Sequence, residues 1–186
     1  MTMRATLVAV SGPPGTGKTT LAHALADALG WPTVCRDEIK ERLAAATADP
    51  GQDQNLDLDL ATLEEFFATV STHLASRTSL VAEAAFQDRL WRPGLEPLTE
   101  PGDIRVIRCV VDPELARARI THRAAEQPSR SVHADADFLR RIAEGEQPIE
   151  SWIPISLDLP CLVVDTTQGW TPTLDRVVEF ATRGPR

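Results

Sequence analysis

The stretch Gly12-Pro13-Pro14-Gly15-Thr16-Gly17-Lys18-Thr19 satisfies the pattern G-x-x-x-x-G-K-[ST] at every specified position. These residue types suit one task, holding a chain of phosphates. Glycines let the backbone fold into a nest whose N–H groups converge on phosphate oxygens, with no side chain in the way. Lys18 supplies a point charge for the β- and γ-phosphates, and the Thr19 hydroxyl is placed to ligate Mg2+. Residues 20–29, beginning with Thr20, read as a helix, so the positive end of its dipole also faces the phosphates. Nucleotide binding by residues 12–20 is the first expectation.

Phosphate chemistry also needs acids and further cations. Asp37 follows a short apolar run and opens a helical stretch, which makes it a good helix N-cap. It would also stand at the carboxyl end of a parallel strand, where ligands gather, able to accept a proton from an attacking hydroxyl or to orient it. The two roles are compatible. Glu83 ends a second apolar run, where many phosphate-loop proteins carry an aspartate that holds Mg2+ through water; a substrate-contacting carboxylate and a surface acid at a strand end are the other readings. Asp88, Arg89 and Arg92 could reach a substrate or form a solvated face. Arg117, Arg119 and Arg123 lie on one predicted helix, Arg119 and Arg123 sharing a face, and a polar segment containing Arg130 follows. Arginines beside such a segment suit a lid over residues 124–135 that neutralises transferring phosphate; surface arginines in an arginine-rich chain are the plainer account. His73 reads as a surface residue and His133 as structural.

The elements that must position these groups follow from periodicity. Apolar β-rich runs at residues 5–10, 31–36, 78–86, 104–111 and 160–165 read as five strands, the first of them buried. Helical patterns separate them. The first is closed by Gly30, the next is opened by Asp37, and a stripe of Leu60, Leu63, Phe66, Phe67, Val70 and Leu74 marks a third. Asp112-Pro113-Glu114 starts a helix with proline at its first position, residues 138–146 continue helically, and Thr171-Pro172 opens the last helix, which buries Leu174, Val177, Val178 and Phe180. Residues 48–55 read as a surface loop, and residues 87–100, with Pro93 and Gly94, as a broken helix at best. Alternating strands and helices imply an α/β fold, a five-stranded parallel sheet with helices on both faces. No repeat or linker divides the chain, so residues 1–186 are expected to form one domain.

Composition narrows the partners. A net charge of −8 argues against a broad nucleic-acid footprint. Of the 19 basic residues only Lys18 and Lys40 are lysines, which sets the loop lysine apart. No apolar run approaches membrane-spanning length and no signal peptide is apparent, so a cytoplasmic protein is expected. Cys35, Cys109 and Cys161 fall in separate strands and read as buried free thiols.

The chain resembles the small P-loop kinases, in particular the group labelled AAA-domain proteins that includes zeta-toxin-like and chloramphenicol phosphotransferase-like enzymes. The carrying residues are residues 12–20, the acid of Arg36-Asp37-Glu38-Ile39, the Arg119-Ile120-Thr121-His122-Arg123 stretch, and Val163-Val164-Asp165-Thr166-Thr167. The resemblance implies a nucleoside/nucleotide kinase-like P-loop NTPase fold with an arginine-bearing lid, ATP with Mg2+ as phosphoryl donor, and an acceptor hydroxyl near Asp37. It also implies that Arg119 lies by the adenine and phosphates, that Arg123 or Arg130 is the lid arginine, and that the loop after Asp165, with Thr167, borders the adenine. Glu83 departs from the aspartate of many members. Tyrosine is absent, which leaves Trp91, Phe86 or Trp152 as a stacking platform for a flat acceptor. The expected function is transfer of the γ-phosphate of ATP to a hydroxyl of a small molecule. The rivals are a nucleotide switch or partner-stimulated ATPase, and a kinase of nucleotide sugars or nucleic-acid ends.

Overall fold

A computed structural model describes residues 4–46, 54–126 and 152–183. The first strand, β1 (Ala5–Ser11), is the centre of the sheet, and Leu7, Val8, Ala9 and Val10 on it are wholly buried. A strand hidden on both faces must sit between layers of helix. β1 pairs in parallel with β3 (Leu80–Glu83) on one side and β4 (Gly102–Val110) on the other. β2 (Thr33–Cys35) adds beyond β3 and β5 (Cys161–Asp165) beyond β4, giving the order β2-β3-β1-β4-β5 with every pair parallel. The five expected strands are all present.

Side chains alternate across the sheet into two cores. Leu7 and Ala9 face Phe66, Val70 and Leu74 of α3 (Gln54–Ala75) and Trp91 and Leu95 of α4 (Asp88–Leu95). Val8 and Val10 face Leu21, Ala22 and Leu25 of α1 (Lys18–Leu29) and Val177 and Ala181 of α6 (Leu174–Thr182). α2 (Arg36–Ala46) joins β2 to α3, and Ile39 reaches the first core. α5 (Pro113–Glu126) follows β4, with the Asp112 carboxylate accepting from the N–H groups of Glu114 and Leu115 as the expected cap.

Several details differ from expectation. α2 begins at Arg36, so Asp37 lies inside the first turn and is not its cap. α4 continues through Pro93 for two residues before a 3-10 turn at Glu96–Leu98. Leu60 is 56% exposed, so the α3 stripe starts at Leu63. α6 starts after Thr173, whose carbonyl accepts from the N–H groups of Arg176 and Val177, two residues later than the Thr171-Pro172 signal suggests. Cys35 and Cys109 are buried free thiols, but Cys161 is exposed because β5 is an edge strand. The loop expected at 48–55 lies outside the described residues except for its end, which is the start of α3. The lid expected at 124–135 likewise lies outside them beyond the end of α5, as do Arg130, His133, the helix expected at 138–146 and the side chain of Arg123.

Candidate functional site

The phosphate loop leaves β1 at its carboxyl end and enters α1 at Lys18. Gly12 has φ +149°, and a Cβ there would lie 2.6 Å from the Cys109 carbonyl oxygen. Gly15 has φ +81°, and a Cβ there would lie 2.6 Å from the Ala116 carbonyl oxygen. The loop is thus threaded between the end of β4 and the first turns of α5, and only glycine fits at either position. Thr16 fixes it from inside, its hydroxyl donating to the Pro13 carbonyl at 2.8 Å. Pro14 is half-buried in the same loop, Gly17 caps α1 in the left-handed region, and Thr20 is exposed in the first turn of α1.

Beneath the loop three side chains converge. The register sets Val10 and Cys35 on either side of Glu83, which puts this acid at the carboxyl end of the strand between β1 and β2. Glu83 is 2% exposed; its Oε1 is 3.6 Å from Lys18 Nζ, and its Oε2 accepts from the Thr19 hydroxyl at 3.0 Å. Burial holds its carboxyl above the ordinary carboxylate value, the Lys18 charge opposes that shift, and the Asp37 charge adds to it. A hydroxyl beside a carboxylate is an oxygen donor set suited to a hard divalent cation, so these residues fit Mg2+.

Asp37 lies two residues past the end of β2, near enough for its charge to act on Glu83. Its carboxylate is largely exposed and accepts from Arg36 Nη1 at 2.9 Å. Arg36 also binds Asp59 of α3, with Lys40, so the turn that carries Asp37 is braced by ion pairs. On the other flank of the loop, Arg119 donates to the Gly15 carbonyl at 3.4 Å and to the Thr166 carbonyl at 2.8 Å. Thr166 is buried, and its hydroxyl donates to the Thr16 carbonyl at 2.7 Å. Thr167 turns the other way: its N–H donates to Asp165 and its hydroxyl accepts from the Asp112 N–H at 3.4 Å. The residue after β5 that touches the phosphate loop is therefore Thr166, which the sequence reading did not single out.

The aromatic expectation is corrected at two positions. Trp91 is wholly buried, and Phe86 nearly so, in a cluster with Phe66 and Phe67 whose ring centroids lie 5.2–6.2 Å apart. Neither presents a ring face to an acceptor. Trp152 is half-buried and donates to the Ala85 carbonyl at 3.3 Å. Asp88 and Arg92 are engaged within the fold: Asp88 accepts from the Ser156 N–H and hydroxyl and from Arg92. Arg89 is exposed. His73 is half-buried rather than on the open surface; it lines a cleft of about 330 Å³ between β2, α2 and α3.

Residues 7–147 match the protein family described as an AAA domain. No curated protein matches the chain. Among solved structures, a candidate kinase from Chloroflexus aurantiacus is similar over 99% of this chain and 100% of its own, at 26% identity and a TM-score of 0.80. A sugar kinase from Janibacter sp. is similar over 96% of this chain and 99% of its own, at 18% identity and a TM-score of 0.61. The APS kinase of Mycobacterium tuberculosis, solved with AMPPNP and APS, covers 96% of this chain and 98% of its own, at 13% identity and a TM-score of 0.60. The sheet order and the loop after its central strand are those of the P-loop kinase fold. No helix among the described residues is long and apolar enough to cross a membrane.

Proposed function

The chain belongs to the AAA-domain family, and from that premise we propose that it is an ATP-dependent kinase that phosphorylates a hydroxyl of a small molecule. One observation carries the reading: a buried carboxylate, Glu83, meets Lys18 and Thr19 under a glycine-built loop, with Asp37 two residues past the end of the neighbouring strand. The whole chain acts as a single domain, with ATP as phosphoryl donor.

Residues 12–20 receive the triphosphate, backbone N–H groups and the α1 terminus facing its oxygens. Lys18 exchanges its contact with Glu83 for the β- and γ-phosphates. Thr19 and Glu83 would hold Mg2+, which when bound neutralises charge on the β- and γ-oxygens. Asp37 takes the proton of the acceptor hydroxyl as its oxygen bonds to the γ-phosphorus; the bond to the β,γ-bridging oxygen breaks and ADP leaves. Arg119 braces the loop and stands by the adenine, and Thr166 and Thr167 border it. Arg123, at the edge of a lid at 124–135, or Arg130 within it, meets the charge on the transferring group. The acidic net charge favours a metabolite over a nucleic-acid end as acceptor.

The test is ATP consumption by the purified protein with a panel of sugars, sugar acids, nucleosides and antibiotics, with and without Mg2+, read by mass spectrometry. A Mg2+-dependent gain of one phosphate by one class of compound is the expected result. ADP and free phosphate released at the same rate whatever compound is added would overturn the reading in favour of an ATPase.

A further inference from the structure

Among the described residues, one group of metal-ligating side chains stands outside this machinery. His23 projects from the second turn of α1, Cys35 ends β2, and Glu38 lies in the first turn of α2. Their ligating atoms all lie within 4.8 Å of one another. His23 Nε2 is 3.7 Å from Cys35 Sγ and 3.1 Å from Glu38 Oε1. Bonds of about 2.0–2.3 Å meeting at the tetrahedral angle separate neighbouring ligand atoms by roughly 3.3–3.6 Å, and the two observed separations straddle that span. Imidazole, thiol and carboxylate together are a borderline-soft donor set, suited to Zn2+ and not to Mg2+ or Ca2+. The negative charges of Glu83, Glu38 and Asp37 act on the sulfur, a field that attracts a cation. Cys35 is 2% exposed, whereas the side chains of His23 and Glu38 are 45% and 60% exposed, so an ion can enter from solvent and meet the sulfur last.

We propose that His23, Cys35 and Glu38 form a binding site for a thiophilic divalent cation of the Zn2+ class, with a fourth position open to solvent. The ion joins three segments. It ties α1, whose first residues are Lys18 and Thr19, to the β2–α2 turn that carries Asp37. Binding releases the thiol proton to solvent, and the ion is held by the thiolate, the neutral imidazole and the carboxylate. The site does not depend on the kinase reading, because none of its three residues serves nucleotide or acceptor.

The test is a Co2+ titration of the full chain, followed by displacement with Zn2+. One equivalent of Co2+ giving a thiolate-to-metal charge-transfer band and tetrahedral d–d absorption, both removed by Zn2+, is expected. Cys35→Ser is expected to abolish the charge-transfer band. His23→Ala and Glu38→Gln, at exposed positions that fold readily, are expected to weaken Zn2+ binding by more than the roughly 10–100-fold that follows loss of an outer-shell partner. No charge-transfer band in the wild type, or affinities for Zn2+ unchanged in His23→Ala and Glu38→Gln, would overturn the proposal.

Discussion

Lys18 and Glu83 form a buried ion pair whose members need each other as long as no phosphate is bound. Lys18→Ala removes the charge meant for phosphate and is expected to abolish transfer while circular dichroism stays that of the wild type. Asp37→Asn keeps shape and loses the proposed proton acceptor, so kcat should fall by roughly 10²–10⁴ with ATP affinity little changed. Gly15→Ala sets a methyl 2.6 Å from a backbone carbonyl at a positive φ, and both ATP binding and thermal stability are expected to fall. The loop was legible because each of its residue types has one physical reason to be there. Glu83 was legible as an acid at a strand end, but not its double contact with Lys18 and Thr19, which depends on parallel register. The contact of Thr166 with Thr16 was illegible for a similar reason: adjacent threonines after a strand point to opposite sides, and only the turn decides which meets Thr16.

At the scale of elements, the segment that leads into β5 is pinned to the start of α4. Asp88 accepts from the Ser156 N–H and hydroxyl, and the Asp88 N–H donates to the Ile153 carbonyl. The Ser156 N–H bond, helped by the Ser156 hydroxyl and by Arg92, holds the Asp88 carboxyl below its ordinary value of 3.8. A depressed carboxylate contributes stability that is fully present above that value and lost as pH falls through the lower, folded one. Asp88→Asn is therefore expected to lower Tm at neutral pH, with the gap to the wild type narrowing once pH drops below about 3.8. Melting curves of both proteins across the acid range check this; a gap constant with pH would mean that the charge of Asp88 contributes nothing. The five strands and their helices were legible from periodicity alone. Boundaries were less so, because Arg36 can extend a strand or begin a helix, and its bonds to Asp37 and Asp59 favour the helix. Trp91 misled for the same kind of reason: a large ring near a polar stretch suits a ligand platform or a core equally, and α4 turns it into the core.

Over the whole molecule, the sheet order sets the carboxyl ends of β1, β3 and β2 side by side, which gathers the loop, Glu83 and Asp37 into one crevice. The strand count and parallel sense followed from alternation of strands and helices, but the order did not, since alternation is compatible with several orders. A ligand that binds the folded chain and not the unfolded one stabilises the fold. At a hundred times its Kd, ATP adds about 2.7 kcal/mol, or roughly 5–10 °C in Tm for a domain of this length. Wild type should show this rise with ATP and Mg2+, and Lys18→Ala should show far less. The most direct test of the central claim is transfer of labelled γ-phosphate from ATP to the acceptor panel by wild type, Lys18→Ala and Asp37→Asn side by side. Label in one class of hydroxyl compound with the wild type, none with Lys18→Ala, and transfer slowed by roughly 10²-fold or more with Asp37→Asn is the predicted result; full transfer by Asp37→Asn would contradict the account.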